Sequence, residues 1–370
     1  MKIGVPKEIK SYEYRVGLTP GSVRELVTRG HSIIVEAGAG AAIDLTDEAY
    51  RQAGATVVDT AEEIFARADM IVKVKEPQPK ECKMLKENQI LFTFLHLAPD
   101  PEQAKLLLAS GCTAISYETV TDATGGLPLL APMSEVAGRM AVQAGAHTLE
   151  IAQGGRGVLL GGVPGVPPAD VVVLGGGVVG SNALRIAIGM EAHVTVIDKS
   201  IAQLRRLDNQ YGASLNTIFA TDAAIESYVK KADLVIGAVL VPGGSAPKLI
   251  TRTLLKEMKR GAVLVDVSID QGGCFETSIP TTHKEPTYQV EGIVHYCVAN
   301  MPGGAPRTST FALNNATLPF VTDIANKGAK QALLDNVHLK NGLNVHKGKV
   351  TYQAVAQALG YEYYAAEKLL

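Results

Sequence analysis

The sequence has no excess of charge of either sign: 35 Lys and Arg stand against 37 Asp and Glu, a formal net charge of −2 over 370 residues. That excludes the basic footprint of a nucleic-acid binder or of a chain drawn to an anionic membrane. No stretch of about 18 consecutive apolar residues is free of charge or turn signals, so no membrane span is expected. The opening MKIGVPKEIK has no apolar core behind its first lysine. A signal peptide is therefore not expected, and the chain reads as cytoplasmic. The four cysteines, Cys82, Cys112, Cys274 and Cys297, form no C-x-x-C pair and are scattered among apolar segments. That argues against a zinc site and a disulfide framework, and leaves free buried thiols as the expectation. What is present is a composition of 46% hydrophobic and 19% charged residues, which suits a compact fold. The length exceeds one ordinary core and accommodates two domains.

Short apolar runs alternate with helical patterns from the start. Strands are expected at Ile3–Val5, Ser32–Glu36, Thr56–Val58, Met70–Lys75, Ile90–His96 and Thr113–Glu118. Helices are expected after Thr19-Pro20, from Thr46 to Ala53, over Ala61–Ala68 and over Pro101–Ser110. Such alternation means βαβ units and mainly parallel sheets. Ser134 is placed to cap a long helix running to about Gln153. Its Ala137, Ala141, Ala144, Gly145 and Thr148 share one side, which suits packing between domains or between subunits. Gly154–Pro168 reads as a loop or hairpin. Its glycines precede no helix, so they form no phosphate loop. A second α/β run has strands at Val171–Leu174, His193–Asp198, Leu234–Gly237, Ala262–Val267 and Ile293–Val298. The tail after Met301 reads as mostly helical, with Pro319 within or opening a helix.

The segment VVVLGGGVVGSNALRIAIGMEAHVTVID concentrates the functional signal. An apolar strand runs into Gly175, Gly177 and Gly180 in G-x-G-x-x-G spacing, and a helix follows. The first glycine allows a tight turn, the second a close approach of backbone to pyrophosphate, and the third close helix–strand packing. The helix directs its unpaired N–H groups and positive dipole end at the phosphates. About twenty residues on, the next strand ends in Asp198, whose carboxylate can accept from ribose hydroxyls and would repel the extra phosphate of NADP. Together these features predict a dinucleotide site that prefers NAD.

Ligands of open parallel sheets sit beyond the carboxyl ends of the strands. In the first half of the chain, Arg15, Lys75 and His96 lie there. Imidazole titrates near neutrality and suits proton transfer, although a lone histidine is more often structural. Arg15 and Lys75 can hold a carboxylate or remain solvated surface charges. Lys73 shares a strand face with Lys75 and competes with it. In the second half, Asp270 follows AVLVDVSID, where a carboxylate can orient water or ammonia, or simply cap a loop.

With these residues collected, the chain resembles the alanine dehydrogenase family. That family includes the N-terminal part of the proton-translocating nicotinamide nucleotide transhydrogenase alpha subunit. The resemblance runs essentially end to end. It is carried by MKIGVPKEIKSYEYRVGLTP, VKVKEP, FTFLHLA, APMSEVAGRMA, VLGGGVVG with Asp198, DVSIDQGG and HYCVANMPGGAPRTST. It implies reversible, NAD-dependent oxidative deamination of L-alanine to pyruvate and ammonium. Arg15 and Lys75 would hold the substrate, His96 would act as acid and base, and Asp270 would assist water or ammonia. By the same resemblance Ser134, Val178, Val179, Asp198, Val239, Leu240, Val267, Ser268, Ile269, Asp270, Val298, Ala299, Asn300 and Met301 would line the NAD site. Gln203 and Ala220 stand where other members can carry a basic residue and a hydroxyl. The implied architecture is α/β with two doubly wound parallel-sheet domains. A Rossmann NAD-binding domain, about 131–304, is inserted into a discontinuous flavodoxin-like substrate domain, about 1–130 and 305–370. A homo-oligomer, by resemblance a hexamer, is also implied. Three competing readings are a transhydrogenase subunit, a saccharopine-type amino-acid dehydrogenase and a non-catalytic NAD-sensing module.

Overall fold

The computed structural model describes residues 1–239 and 246–370. They form β1 (Lys2–Val5), β2 (Ser32–Glu36), β3 (Thr56–Val58), β4 (Met70–Val72), β5 (Ile90–Thr93), β6 (Thr113–Ser116), β7 (Asp170–Leu174) and β8 (His193–Asp198). They continue with β9 (Asn216–Phe219), β10 (Leu234–Gly237), β11 (Val263–Asp266), β12 (Thr287–Val290), β13 (Ile293–Tyr296), β14 (Leu343–His346) and β15 (Lys349–Val350). The chain divides into two compact units: Met1–Met133 with Ala305–Leu370, and Ser134–Gly304.

The first unit holds one sheet in the order β15-β14-β6-β5-β4-β1-β2-β3. All neighbours from β6 to β3 are parallel. Without the short edge strand β3, the order β2-β1-β4-β5-β6 is the 2-1-3-4-5 winding of a flavodoxin-like sheet; β3 extends it to 3-2-1-4-5-6. Side chains alternate across the sheet, and both faces are covered. Ile3, Val5, Ile33, Val35, Val72 and Phe92 point to a core closed by Val23, Leu26, Leu313, Val321 and Ile324. Ile34, Ile71, Leu91 and Ala114 point the other way, onto Ile64, Phe65, Ala104 and Leu107. Between Ile3 and Val5, Gly4 leaves room for Ile64, whose Cγ2 would lie 2.5 Å from an added Cβ.

The tail is mostly helical, as expected, but it also contributes two strands. Helix Pro306–Lys327 does hold Pro319 inside it. Beyond it, β14 joins β6 antiparallel and turns back into β15. That turn is Lys347-Gly348, both at positive φ. β12 and β13 form a second such hairpin over Glu291-Gly292, again both at positive φ. Two-residue hairpin turns demand this geometry and usually take Asn or Asp first, which supplies the familiar signal. With Lys and Glu there, neither hairpin was expected. Polar β9 was likewise missed.

The second unit's order is β12-β13-β11-β10-β7-β8-β9, parallel except for β12. Read from β9, this is 3-2-1-4-5-6 with an antiparallel edge strand, the dinucleotide-binding winding. Val171, Val173, Val194, Val196, Ile236 and Val265 build the core on one face. Val172, Leu174, Ile197, Val235 and Leu264 build the other. The helix that Ser134 was expected to cap begins earlier, at Ala131, and ends at Thr148. Ser134 lies within it, because Pro132 already supplies a first-turn residue that needs no N–H partner. Part of the small-residue side packs within the second unit itself. Ala137 and Ala141 are buried in the second unit's own core, and Cβ atoms added at Gly138 and Gly145 would lie 2.1 Å from Val179 O and 2.6 Å from Leu234.

All four cysteines are buried and free. Burial pushes the Cys112 and Cys297 thiols up to about 11. No helix among the described residues is long and apolar enough to cross a membrane.

Candidate active site

In the first unit the expected residues come together along neighbouring strands. Arg15 follows β1, Lys75 follows β4 and His96 follows β5, and these three strands are adjacent. This is the switch point of the winding, where β1 leads on one side to β2 and on the other to β4. The loop after β1 lies tightly on β4: a Cβ at Gly17 would sit 2.4 Å from Val72 O.

The strands end sooner than their apolar runs suggest. β4 stops at Val72 rather than Lys75, β5 at Thr93 rather than His96, and β6 at Ser116, where a 3-10 turn Tyr117–Thr119 begins. Carboxylates take over part of the hydrogen bonding. Glu8 Oε1 accepts from Val74 N at 2.7 Å and Lys75 N at 3.4 Å. Glu118 accepts from Leu95 N at 3.2 Å and from His96 N at 2.6 Å. Neither glutamate was anticipated. Their only signal in sequence was an acidic residue beside a strand end.

Arg15 is buried and gripped by Glu13, with Nε to Oε1 at 2.6 Å and Nη2 to Oε2 at 2.5 Å. Nη1 donates toward Met133 Sδ at 3.0 Å. The surface-charge reading of Arg15 is thereby excluded. Lys73 and Lys75 also separate. Lys73 is fully buried and bound by Glu8 at 3.0 Å and Glu81 at 2.7 Å. Burial would lower its pKa, but the two carboxylates outweigh that and hold it above the ordinary lysine value. Burial pushes Glu8 upward, against the pull of Lys73. Lys73 is thus a structural ion that anchors β4. Lys75 lies 3.9 Å from Glu76, which also pairs with Lys10. Burial pushes Glu76 up, but Lys75 and Lys10 outweigh it and hold its carboxyl below the usual range.

His96 is 43% exposed, and its ring stacks on Phe94 with centroids 5.7 Å apart. Its φ is +47°, a left-handed conformation that non-glycine residues rarely adopt.

In the second unit the glycine fingerprint adopts the geometry its spacing predicts. Gly175 turns off β7 with φ +96°. A Cβ at Gly180 would fall 1.8 Å from Gly175 O, so the helix Val178–Gly189 packs directly on the strand end. A Cβ at Gly177, the N-cap, meets nothing within 4 Å. The space over the helix N-terminus is open where a pyrophosphate belongs, and the residues fit a dinucleotide. Val178 and Val179 are the first two residues of that helix. Asp198 ends β8 beside this loop, its carboxylate accepting from Gly176 N at 2.6 Å and Ser200 N at 2.7 Å. Gln203 Nε2 reaches Gly176 O.

Other expected residues gather at the same carboxyl edge. Ser268 Oγ donates to Val239 O at 2.7 Å, and Val239 Cγ1 would lie 3.2 Å from a Cβ on Gly175. Val267, Ser268, Ile269 and Asp270 share the 3-10 turn after β11, with Asp270 exposed. That turn is held by buried Asp266, which accepts from Ser268 N at 3.0 Å and Cys274 N at 2.9 Å. Burial pushes Asp266 above its ordinary pKa. Val298, Ala299, Asn300 and Met301 follow β13, tied by Ala299 N to Thr281 O at 3.1 Å and by His283 to Asn300 O at 3.2 Å. Leu240 lies outside the described residues. A cavity of about 800 Å³ lined by Asp170, His193 and Asp233 lies at the amino ends of β7, β8 and β10, away from this edge.

Fold and site therefore define a two-unit α/β protein with a dinucleotide fingerprint on one unit and a cation and histidine set on the other. Models of the alanine dehydrogenase/PNT family match it in both parts: the N-terminal domain over residues 4–137 and the C-terminal domain over 141–353. An alanine dehydrogenase of Halomonas elongata is 60% identical over 370 residues, covering 100% of both chains. A solved L-alanine dehydrogenase is 51% identical, with a TM-score of 0.94, covering 97% of this chain and 99% of that one. A transhydrogenase from Sinorhizobium meliloti aligns with a TM-score of 0.81 at 25% identity, covering 96% and 100%. The chain belongs to the alanine dehydrogenase/PNT family.

Proposed function

We propose that the chain catalyses the reversible, NAD-dependent oxidative deamination of L-alanine to pyruvate and ammonium. The observation that carries this reading is the convergence of Arg15, Lys75 and His96 on three adjacent strand ends. That is a substrate set beyond what nucleotide binding needs. The first unit is read as the substrate domain and the second as the NAD domain.

NAD would be held by the Gly175–Gly180 turn and the helix N-terminus at its phosphates, by Asp198 at the adenosine ribose, and by Ser134, Val239, Leu240, Val267–Asp270 and Val298–Met301 along the remainder. When bound, NAD supplies the hydride acceptor. The chain's own residues position the substrate and move protons. Arg15 pairs with the alanine carboxylate, which would compete with Met133 for Nη1. Once the amine has given up its extra proton to solvent, loss of hydride from the α-carbon leaves a protonated imine. Water adds to its carbon while His96 takes a proton from that water. His96 then returns the proton to nitrogen, and as the C–N bond breaks and ammonia leaves, it takes the remaining hydroxyl proton. Lys75 stabilises the oxygen as it becomes the carbonyl of pyruvate. Asp270 orients the water, or ammonia in reverse. A carboxylate at Asp198 disfavours NADP. Cytoplasmic alanine catabolism by a homo-hexamer completes the reading, and sedimentation as a monomer at micromolar concentration would contradict the assembly.

The test is NADH absorbance in the presence of pyruvate, with and without ammonium. Oxidation that requires ammonium supports the reading. Oxidation without ammonium makes the protein a hydroxy-acid dehydrogenase. NADH binding without turnover favours the sensing or transhydrogenase alternatives.

A further inference from the structure

The His96 side chain needs more than its place after β5 to work in proton transfer. Its backbone is in a left-handed conformation with φ +47°. One carboxylate stabilises that conformation: Glu118 Oε1 accepts His96 N at 2.6 Å, and both Glu118 oxygens accept Leu95 N at 3.2 Å. The same Oε1 lies 3.9 Å from His96 Nδ1. On the ring's face, Phe94 stacks with an interplanar angle of 3°. Glu118 pairs with no lysine or arginine among the described residues, whereas the neighbouring carboxylate Glu76 pairs with Lys10 and Lys75.

A neutral imidazole carries one N–H. A carboxylate beside one nitrogen favours the proton there and leaves the other nitrogen's lone pair exposed. We propose that Glu118 is the positioning residue of His96. Glu118 pins the left-handed backbone, draws the N–H onto Nδ1 and leaves Nε2 to take the proton from water. This rests on the reading of His96 as the proton-transfer group.

E118Q separates the roles of Glu118. The amide oxygen still accepts the backbone N–H groups of Leu95 and His96, but the charge facing Nδ1 is gone. The expected result is a kcat in ammonium-dependent pyruvate reduction lower by about 10–100-fold, the usual cost of losing an orienting partner, with KM for NADH unchanged. The double variant E118Q/H96A should be no slower than H96A alone, because the two residues act as a unit. Histidine ¹⁵N spectra, with the His96 signal identified by its loss in H96A, should show the Nδ1–H tautomer in the wild type and a shift toward Nε2–H in E118Q. A wild-type Nε2–H tautomer, an unchanged kcat in E118Q or additive losses in the double variant would overturn the proposal. The spectra do not depend on turnover. If they show the expected tautomers while H96A keeps its activity, the functional reading of His96 fails, not the positioning.

Discussion

The candidate sites of the two units are built from different materials. The first relies on buried charges: Arg15 on Glu13, and Lys73 between Glu8 and Glu81. The second relies on backbone, a glycine turn and a helix N-terminus, with Asp198 as the acidic group beside them. The difference follows from what has to be bound. A small carboxylate needs a fixed cation, and an ion withdrawn from water costs several kcal/mol unless it is paired, so charges enter as sets. A pyrophosphate can be held by N–H groups and a helix dipole, which need no buried side-chain charge. Damage to the first unit should therefore appear in catalysis and stability, and damage to the second in nucleotide affinity.

The largest effect is expected from His96→Ala. Steady-state kinetics should show kcat reduced by about 10²–10⁴-fold, the range for a proton-transfer group. The unfolding midpoint should be unchanged, since the ring is half-exposed. Near-normal kcat would remove His96 from the mechanism.

Lys73→Met comes next and should affect stability. It leaves Glu8 and Glu81 buried without a cation, which costs about 3–5 kcal/mol in urea unfolding. The pH dependence has a definite sign. The folded-state pKa of Lys73 is raised, so its contribution is intact below the ordinary lysine value and is lost as pH rises from there through the folded value. On the alkaline side the gap between wild type and Lys73→Met should narrow only in strong alkali; on the acid side it should narrow as Glu8, already held above its ordinary value, takes up a proton. A gap that narrows as pH rises through the neutral range would contradict this ion triad.

Asp198→Ala should weaken NADH binding by about tenfold or more, as loss of a hydrogen bond to a charged group does, and leave KM for pyruvate unaltered. Fluorescence titration with NADH reads the first and kinetics the second. Equal losses on both would break the contrast between the units.

The smallest structural effect is expected from Gly177→Ala. Its Cβ enters open space, so stability should stay within about 0.5 kcal/mol while NADH affinity falls. Gly180→Ala provides the counterpart. Its Cβ would overlap Gly175 O, and overpacking of this kind costs about 1–3 kcal/mol in thermal or urea unfolding. Similar behaviour of the two alanines would mean that the open space at the helix N-terminus is not where the nucleotide binds.

Much of this was legible beforehand, for identifiable reasons. β2, β3, β8 and β10 fell where the sequence placed them; in β2 and β10, covered on both faces, the signal is an unbroken apolar segment. The fingerprint was legible because it states backbone geometry directly in residue type. The misses also have causes. Lys347-Gly348 and Glu291-Gly292 hide their turns behind charged residues. Ser134 has the residue type of a cap, but the helix already opens at Ala131 with Pro132 in its first turn. Lys73 and Lys75 stand two apart on one face of the expected strand and carry the same charge, so nothing local in the sequence distinguishes them. Only the positions of Glu8 and Glu81 do.

The sequence alone determined the features that depend on short range: strand and helix alternation, the glycine turn, the acid at the end of β8, and which cations and histidine stand at strand ends. Periodicity and backbone sterics act over a few residues and can be read from one segment at a time. The tertiary structure alone decided which charges are paired. Glu8 meets Lys73 across 65 positions of chain and Glu118 meets His96 across 22, and the energy of such pairs depends on burial and separation, which only the packed sheet defines.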